Sequence, residues 1–543
     1  MFGAYANVAG SSRPLYIDSS EIPPPTPIAL PRFQPFTQDD TPIDPSLSLS
    51  NLLKSTGRAS LALSTTGLNA LGLDLESDVD LFTLIPDEKW IPDFAAWDKP
   101  IIAGENPAAA AAASSQQQLR TGRVAPGHAI YQERLTELAH SNEDAFRSIR
   151  RQTPAKGRTN ARLGNSYEFF RCLELFTEYW DDPTRPPSPA LSPELLPSET
   201  LASAPASDGD VTMSETPMPV KLPVKPAAAS RPHSEVRIAA GSSMPPEFRN
   251  NLIAALVKLV AYDFGCNVAH SRVEPRLQMS SPKKAEHRRK SYIPCHFQFV
   301  FQSPQSREAA RLGTVTGPIA AISNRQTVDF TTPDVETAQS LDLAREILAA
   351  LITAQHRARQ GKTEVRFGEG KWWATKPRWG GGSGGPIGKE DTDDMPNSPP
   401  SKRDEDEEMS PPRAKKSRKT LSMYDTYRMV RPASHAWDRR ANYELIGKQY
   451  GTNYDDIFLV SSLFHHVSFL RVRVPIRLLE VLEGSPEPDA SWRSWGKLSA
   501  YRSRWFDLFE TEGRIEAMKH IFAIMSYQMR HDTGDVAFTG GAV

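Results

Sequence analysis

The chain has 543 residues and a formal net charge of −1, so no overall field draws it to nucleic acid or membranes, and only local patches can serve such ligands. Its 46 prolines and 39% hydrophobic residues argue against folding throughout, and we expect roughly half of the chain to be disordered. Three cysteines exclude a disulfide framework and suit a reducing compartment.

The sequence also argues against secretion and membrane insertion. No apolar run approaches the roughly 20 residues that span a bilayer. The first residues, MFGAYANVAGSSRP, have no basic region followed by an apolar core, which a secretory signal needs. We therefore expect no membrane partner.

Residues 1–125 are predicted to be disordered around one acidic and aromatic segment at 71–98. Acidic side chains alternate there with large apolar ones, as in an amphipathic activation segment, and repulsion among the carboxylates would keep the apolar groups available to a partner. In the alternative interpretation the rings pack on the protein's own core, because Trp and Phe bury so much area. The candidate partner-binding residues are Leu81, Phe82, Trp90, Phe94 and Trp97.

Residues 126–182 are predicted to form a helical segment that packs on the core. Asn165 is a candidate cap, and apolar residues follow it at helical spacing up to Trp180. The Pro, Ala and Ser content rises again over residues 183–242, which indicates a disordered linker. Serine–proline pairs in this linker and in a later one are candidate phosphorylation sites: Ser188, Ser192, Ser398 and Ser410.

Residues 243–378 are predicted to form the core domain, which begins with a helix. Ser243 is a candidate N-cap, and Pro245 and Pro246 suit a first helical turn. Apolar residues then recur every three or four positions, and Gly265 is the expected stop.

Strands and a second helix follow within this domain. Strict alternation over YIPCHFQFVF predicts one half-buried strand with an inward-facing row. Short apolar runs at 314–323 and 327–330 precede a helix predicted from Thr332 to Gln360, and residues 363–375 carry a hairpin signal. The inward-facing row consists of Ile293, Cys295, Phe297, Phe299 and Phe301.

Residues 245–355 resemble a double-stranded-RNA-binding domain, whose elements follow the order α-β-β-β-α. The stretch Pro294-Cys295-His296-Phe297 is similar to the Pro-x-His of that family's first strands. The resemblance implies this fold and contact with RNA. The chain departs from the family at the second helix, which begins in the family with lysines directed at phosphates and here with Asp334-Val335-Glu336.

Basic and aromatic residues at 283–290 and 357–378 form a candidate nucleic-acid surface. Lysine and arginine would neutralise phosphates while an exposed tryptophan stacks on a base. Trp372 and Trp373 point to opposite faces of a predicted strand, so at least one of them is expected to pack inward. The candidate contacts are Lys283, Lys284, Arg288, Arg289, Lys290, Arg366, Lys371, Trp372, Lys376 and Arg378.

Two basic clusters lie in residues 379–421, which glycine-rich and charged stretches predict to be a disordered linker. About ten residues separate the clusters, a spacing that suits the two-site groove of an importin and predicts nuclear localisation. The alternative is an ordinary solvated charge run. The clusters consist of Lys402 and Arg403, and of Lys415, Lys416, Arg418 and Lys419.

Residues 422–532 are predicted to form a helical C-terminal segment, followed by a tail at 533–543. Asn453 is a candidate cap for a helix through Val467, and a second apolar run ends at Gly484. A last amphipathic helix is predicted from regularly spaced apolar residues, which are Ile515, Met518, Phe522 and Met525.

The sequence predicts no catalytic residue and no cofactor. The run at 381–385 matches G-x-S-x-G formally, but it lacks the strand and the helix that a nucleophile elbow needs. The chain carries no phosphate-binding loop, dinucleotide fingerprint, zinc-protease motif or kinase set. We therefore expect a protein that is not an enzyme.

Two groups of metal-ligating residue types are present, and neither is predicted to bind a metal. Cys266 and His270 have acceptable spacing, but Cys295 and His296, which would complete the set, are strand neighbours that point to opposite faces. The pair His465-His466 is expected on a helix, where consecutive side chains point about 100° apart and do not easily share an ion.

These patterns predict an α+β protein with one composite core of helices packed on a small, mostly antiparallel sheet, a helical C-terminal segment and long disordered regions. The predicted function is a non-enzymatic nuclear scaffold or a transcription or chromatin co-regulator, with an importin and other nuclear proteins as partners. The alternative is an RNA- or DNA-binding module that uses the basic and aromatic surface. A divergent enzyme is a third interpretation, which a deep polar pocket would favour.

Overall fold

A computed structural model describes eleven stretches of the chain. They are residues 26–31, 65–99, 118–181, 237–270, 275–282, 290–302, 314–325, 328, 335–358, 442–487 and 492–531. The predicted hairpin at 363–375, both basic clusters and the candidate phosphorylation sites Ser188, Ser192, Ser398 and Ser410 lie outside these ranges.

Ten α-helices occur in the described residues. They are α1 (Thr65–Leu71), α2 (Leu81–Leu84), α3 (Phe94–Trp97), α4 (His128–Leu138), α5 (Asn142–Ile149), α6 (Tyr167–Phe176), α7 (Pro246–Ala261), α8 (Val335–Arg357), α9 (Ile476–Leu482) and α10 (Thr511–Gln528).

Eleven strands occur in the same ranges. They are β1 (Leu73–Val79), β2 (Cys266–His270), β3 (Arg276–Ser280), β4 (Lys290–Pro294), β5 (Gln298–Gln302), β6 (Thr314–Asn324), β7 (Asn442–Glu444), β8 (Tyr454–Leu463), β9 (His466–Pro475), β10 (Leu498–Ser503) and β11 (Phe506–Asp507).

Nine of these strands form one mixed sheet in the order β1-β10-β9-β8-β6-β5-β2, with β11 beside β9 and β7 beside β6. Three pairs are parallel, namely β1 with β10, β6 with β7 and β6 with β8. Strands β3 and β4 form a separate antiparallel pair. The prediction of a small, mostly antiparallel sheet is therefore wrong, because the sheet joins strands that lie far apart in the chain.

Helices cover both faces of the large sheet. Along β8, Ile457 and Leu459 join one hydrophobic cluster, whereas Phe458 and Val460 join another, as alternation along a strand requires. The cluster with Phe458 contains α7, α10 and residues of α4 to α6, and we call this side the α7 face. The cluster with Ile457 contains α1, α8 and α9, and we call this side the α8 face.

The C-terminal segment is not helical throughout. Strands β8 and β9 pair as a hairpin where a helix was predicted from Asn453 to Val467. Since helices cover both faces, β8 is apolar at successive positions, and a continuous apolar run also contains helical spacing. The predictions near Gly484 and for the last helix are confirmed by α9 and α10.

The core-domain predictions are confirmed in part. Helix α7 starts with Pro246 and is followed by Gly265 at φ +73°, but Ser243 lies in a 3₁₀ turn and makes no cap. Cys295, Phe297, Phe299 and Phe301 all pack on the α8 face, and Ile293 packs against them. The predicted single strand is divided into β4 and β5.

The described residues do not follow the order implied by the double-stranded-RNA-binding resemblance. Among them, five strands, β2 to β6, lie between α7 and α8, whereas the resemblance implies three. Two of the five, β3 and β4, belong to a different sheet from the others. The shared Pro-x-His stretch therefore belongs to a different arrangement of strands.

Candidate metal centre

Three side chains with metal-binding groups meet at the tip of the β8–β9 hairpin. They are His465, His466 and Asp507, and their ligand atoms all lie within 4.8 Å of one another. The His465 Nε2 atom is 3.5 Å from Asp507 Oδ1, and His466 Nε2 is 3.7 Å from Asp507 Oδ2. Both distances exceed the range of about 2.7–3.2 Å that N–H···O hydrogen bonds occupy, so neither imidazole makes a short hydrogen bond to the carboxylate.

A tight turn places the two histidines side by side. Leu463 pairs with His466, which leaves Phe464 and His465 as a two-residue loop. Phe464 has φ +55°, a left-handed conformation that costs a bulky residue about 1–3 kcal/mol. Its buried ring is held 5.0 Å from the Phe176 ring and 5.7 Å from the Arg249 guanidinium, and this packing fixes the turn.

Asp507 is positioned by backbone contacts. It lies directly opposite His466 in the pairing of β11 with β9. The Leu508 N–H donates to the His465 carbonyl oxygen at 3.0 Å, and the Phe509 N–H donates to Asp507 Oδ1 at 2.8 Å. These bonds hold the carboxylate at the tip of the hairpin.

Gly513, in the first turn of α10, allows that helix to pack on the Asp507 backbone. A Cβ atom at this position would lie 2.1 Å from the Asp507 carbonyl oxygen. Since that contact is with backbone, a side chain here would have to move either the helix or β11. Glycine is therefore required where α10 supports the carboxylate.

The protonation states suit a ligand set. Burial and, to a smaller extent, the nearby His465 lower the pKa of His466 to about 4, although Asp507 opposes both. Burial by itself would raise the pKa of Asp507, but the adjacent imidazoles and the Phe509 N–H outweigh it and lower that pKa. At neutral pH the site therefore presents a neutral His466 imidazole beside an ionised carboxylate.

The imidazoles lie in an aromatic setting that opens to solvent on one side. The His465 ring is 4.8 Å from the Phe509 ring and 5.5 Å from the Trp180 ring. The side chain of His465 is 2% exposed, against 15% for His466 and 18% for Asp507. The Nδ1 atoms of both histidines are buried without a hydrogen-bond partner among the described residues.

The sequence prediction missed this cluster because it placed the histidine pair on a helix. The last residue of a two-residue turn and the first residue of the following strand can face the same ligand, as His465 and His466 do, which consecutive helical positions do not easily allow. The signal available in the sequence was a continuous apolar run that ends abruptly at His465-His466, which is also typical of a buried strand and its turn.

The cysteines do not form a metal site with one another. Cys172 and Cys266 are buried in the cluster on the α7 face, and Cys295 is buried in the cluster on the α8 face. Burial raises the pKa of the Cys172 thiol to about 12 and raises that of Cys266 as well. These thiols are therefore protonated core side chains.

The candidate partner-binding residues of segment 71–98 are divided between core and surface. The segment is ordered, with β1, α2, α3 and a short 3₁₀ turn. Phe94 and Trp97 are buried against Tyr131 and Phe522, as the alternative interpretation expected. Leu81 and Trp90 are partly buried against the core, and Phe82 is 58% exposed.

The basic and aromatic surface is only partly described. Arg357 at its start is buried, and its guanidinium donates to both carboxylate oxygens of Asp455 at 2.7 and 2.9 Å. It is therefore not available to phosphate. Lys290 begins β4, and the nine remaining candidate contacts lie outside the described residues, so nucleic-acid binding there stays a prediction.

Comparison with known proteins gives no relative for this chain: no family model, no curated protein and no solved structure matches it. Among the helices described here, none has the length and the apolar character that crossing a membrane requires.

Proposed function

We propose that the protein is a nuclear scaffold or a transcription or chromatin co-regulator that acts through contacts with other proteins. The observation that carries this proposal is the place of the basic clusters in the topology. Helix α8 ends at Arg357, and the next described strand, β7, begins at Asn442. Both β7 and β8 pair with β6, so the described elements after the clusters join a strand that comes before them in the chain.

In this proposal the import signal and the described strand pairs use different parts of the chain. An importin would contact the segment between Arg357 and Asn442, while the described pairs of β6 with β7 and β8 use residues on either side of that segment. We therefore expect the protein to be imported as an intact folded body.

The localisation test is a charge-removal variant of the full chain carrying a fluorescent tag. Replacing Lys415, Lys416, Arg418 and Lys419 by alanine should move the protein from the nucleus to the cytosol, because importin loses its main cationic ligands. The control replaces Lys389 and Arg428, which lie in the same segment outside the clusters, and should stay nuclear. A cytosolic wild-type protein would contradict the proposal.

Phosphorylation of Ser410, between the clusters, should weaken importin binding by adding about −1.5 to −2 charges. The expected result is that Ser410→Asp shifts the tagged protein toward the cytosol, while Ser410→Ala leaves it nuclear. Equal nuclear accumulation of Ser410→Asp and wild type would exclude this regulation and leave the import signal itself unaffected.

Phe82 is the best-placed partner contact in the acidic and aromatic segment. It lies in α2, whose first turn is capped by Asp80 through a 2.7 Å bond from the Thr83 N–H to Oδ1. Its ring is exposed, and the acidic residues Glu76 and Asp78 nearby in sequence are exposed as well. A partner would therefore need an apolar pocket with a basic rim.

The partner test uses the full chain tethered to a heterologous DNA-binding domain in a reporter assay. Phe82→Ala should reduce the effect on transcription, and Tyr450→Ala, which removes another exposed ring, should not. Mass spectrometry of proteins purified with each variant from nuclei should show partners lost with Phe82→Ala alone. A wild-type fusion without any effect on the reporter would remove the co-regulator proposal.

A further inference from the structure

We propose that His465, His466 and Asp507 bind one divalent transition-metal ion of the zinc type. Two imidazoles and one carboxylate form a donor set that proteins use for zinc and for non-haem iron, with at least one coordination position left to water. The three groups come from a hairpin turn and from the strand that pairs with it, so the sheet itself brings them together.

The distances between the imidazole nitrogens and the carboxylate oxygens fit coordination of a shared ion better than direct hydrogen bonds. Two ligand atoms at 2.0–2.2 Å from a tetrahedral zinc lie roughly 3.4 Å from each other. The observed N···O separations of 3.5 and 3.7 Å are close to this value and too long for hydrogen bonds. Since the whole set lies within 4.8 Å, an ion would draw its widest pair together by at most about 1.4 Å.

The surroundings allow that movement. The imidazole centroids of His465 and His466 are 4.4 Å apart with planes inclined by 36°, so the two rings lie next to each other. Within the described part of the chain, neither Nδ1 atom has a hydrogen-bond partner that would hold its ring in place. Each ring can therefore turn its nitrogen toward a shared ion, and the exposed edges of His466 and Asp507 provide the entry path.

An ordinary histidine–aspartate pair does not account for this arrangement. Such a pair needs one imidazole hydrogen-bonded to the carboxylate, whereas here two imidazoles stand off from it at similar distances. The geometry thus indicates a ligand between the three groups.

The test measures zinc binding to the full chain after treatment with a chelator. Isothermal titration should show one tight zinc site in the wild type, and zinc should raise the thermal unfolding temperature. His466→Gln and Asp507→Asn should each weaken zinc binding by about 100-fold or more, since even residues that only orient a ligand typically contribute 10- to 100-fold. Asp507→Asn keeps an oxygen that can accept from the Phe509 N–H, which preserves the local backbone.

His296→Gln is the matched control, because it removes an exposed histidine from the connection between β4 and β5, and it should bind zinc like wild type. Equal zinc affinity in all four proteins would mean adventitious binding and would overturn the proposal. Absence of tight binding of zinc, cobalt and iron(II) to the wild type would overturn it as well.

Cobalt spectra of the wild type keep the proposal testable if the variants do not fold. Cobalt bound by two imidazoles and one carboxylate should give weak visible bands without an intense thiolate charge-transfer band in the near ultraviolet. An intense thiolate band would assign the ion to cysteines instead, and the histidine cluster would no longer be the site.

Discussion

Two of the buried polar clusters in the described residues differ in how their charges are balanced. In the first, two guanidiniums meet two carboxylates: Arg325 donates to both oxygens of Asp342 at 2.6 Å, and Glu346 bridges Arg325 and Arg502. In the second, His465 and His466 face Asp507 without a hydrogen bond to it. We call these the arginine cluster and the histidine cluster.

The difference indicates different roles. The arginine cluster is electrically neutral, ties α8 to the sheet, and lies under the Trp505 ring, which is 5.0 Å from the Arg325 guanidinium. Each of its charges already has an opposite charge, so it has no capacity for a ligand. The histidine cluster has unpaired nitrogens and an opening to solvent, and these are the properties of a binding site.

The largest effect is expected from breaking the arginine cluster. Glu346→Ala would leave Arg325 short of one partner and remove the carboxylate bound by Arg502, and loss of one partner from a buried ion pair typically costs about 3–5 kcal/mol. Chemical denaturation should show this loss of stability. Glu143→Ala, which breaks an exposed pair with Arg147, should cost less than about 0.5 kcal/mol. Equal stability of the two variants would contradict the assignment of a structural role.

Acidification should destabilise the α7 face through a buried imidazole. His520 stacks on Phe469, and burial lowers its pKa to about 4. Because its unfolded pKa is about 6.5, the unfolded state binds more protons between pH 6.5 and 4, so stability falls as the pH is lowered through this window, by up to about 3 kcal/mol. Above pH 6.5 this contribution is constant.

The measurement is the free energy of unfolding at several pH values. His520→Gln should flatten the slope between pH 6.5 and 4, whereas His296→Gln, at an exposed position, should leave it unchanged. An unaltered slope in His520→Gln would show that other groups carry the acid sensitivity.

Gly513→Ala should affect both stability and the histidine cluster. The added methyl group would meet the Asp507 carbonyl at 2.1 Å, so α10 or β11 must shift, and we expect a loss of about 2 kcal/mol. Zinc binding should weaken in parallel, because the carboxylate moves with the strand. Glu512→Ala, at the exposed neighbouring position, should change neither property. Unchanged zinc affinity in Gly513→Ala would show that α10 does not position Asp507.

The smallest effect is expected from His466→Gln in the absence of metal. Since this imidazole makes no hydrogen bond to Asp507, its removal should change the unfolding free energy by less than about 1 kcal/mol. The same variant should abolish the stabilisation that zinc confers on the wild type. A large loss of stability in the absence of metal would show that the histidine cluster has a structural role, like the arginine cluster.

The sequence predicted those elements whose residue pattern lies within the element itself. Helix α7 has prolines at its start and Gly265 after its end, and the alternating row at 293–301 packs on one side as predicted. These features depend on neighbours along the chain, and a local pattern is sufficient to predict them.

The sheet and both polar clusters could not be predicted in this way. The parallel pairing of Leu73 with Leu498 joins distant parts of the chain, and the members of the arginine cluster come from three separate places, namely α8, β10 and the residue after β6. Helices cover both faces of strand β8, so its buried residues follow one another without alternation. An alternation of buried and exposed residues would have distinguished this strand from a helix. The histidine cluster was missed for the same reason, because its geometry depends on the hairpin.

The pairing of β1 with β10 also affects how the protein is made. A ribosome that adds about 5–20 residues per second needs roughly 20–80 s after it has synthesised β1 to reach the partner strand. During this interval the first edge of the sheet offers unpaired backbone groups to any foreign strand. A chain that stops before Leu498 would keep this exposed edge permanently, so premature termination should yield aggregates instead of a smaller stable protein.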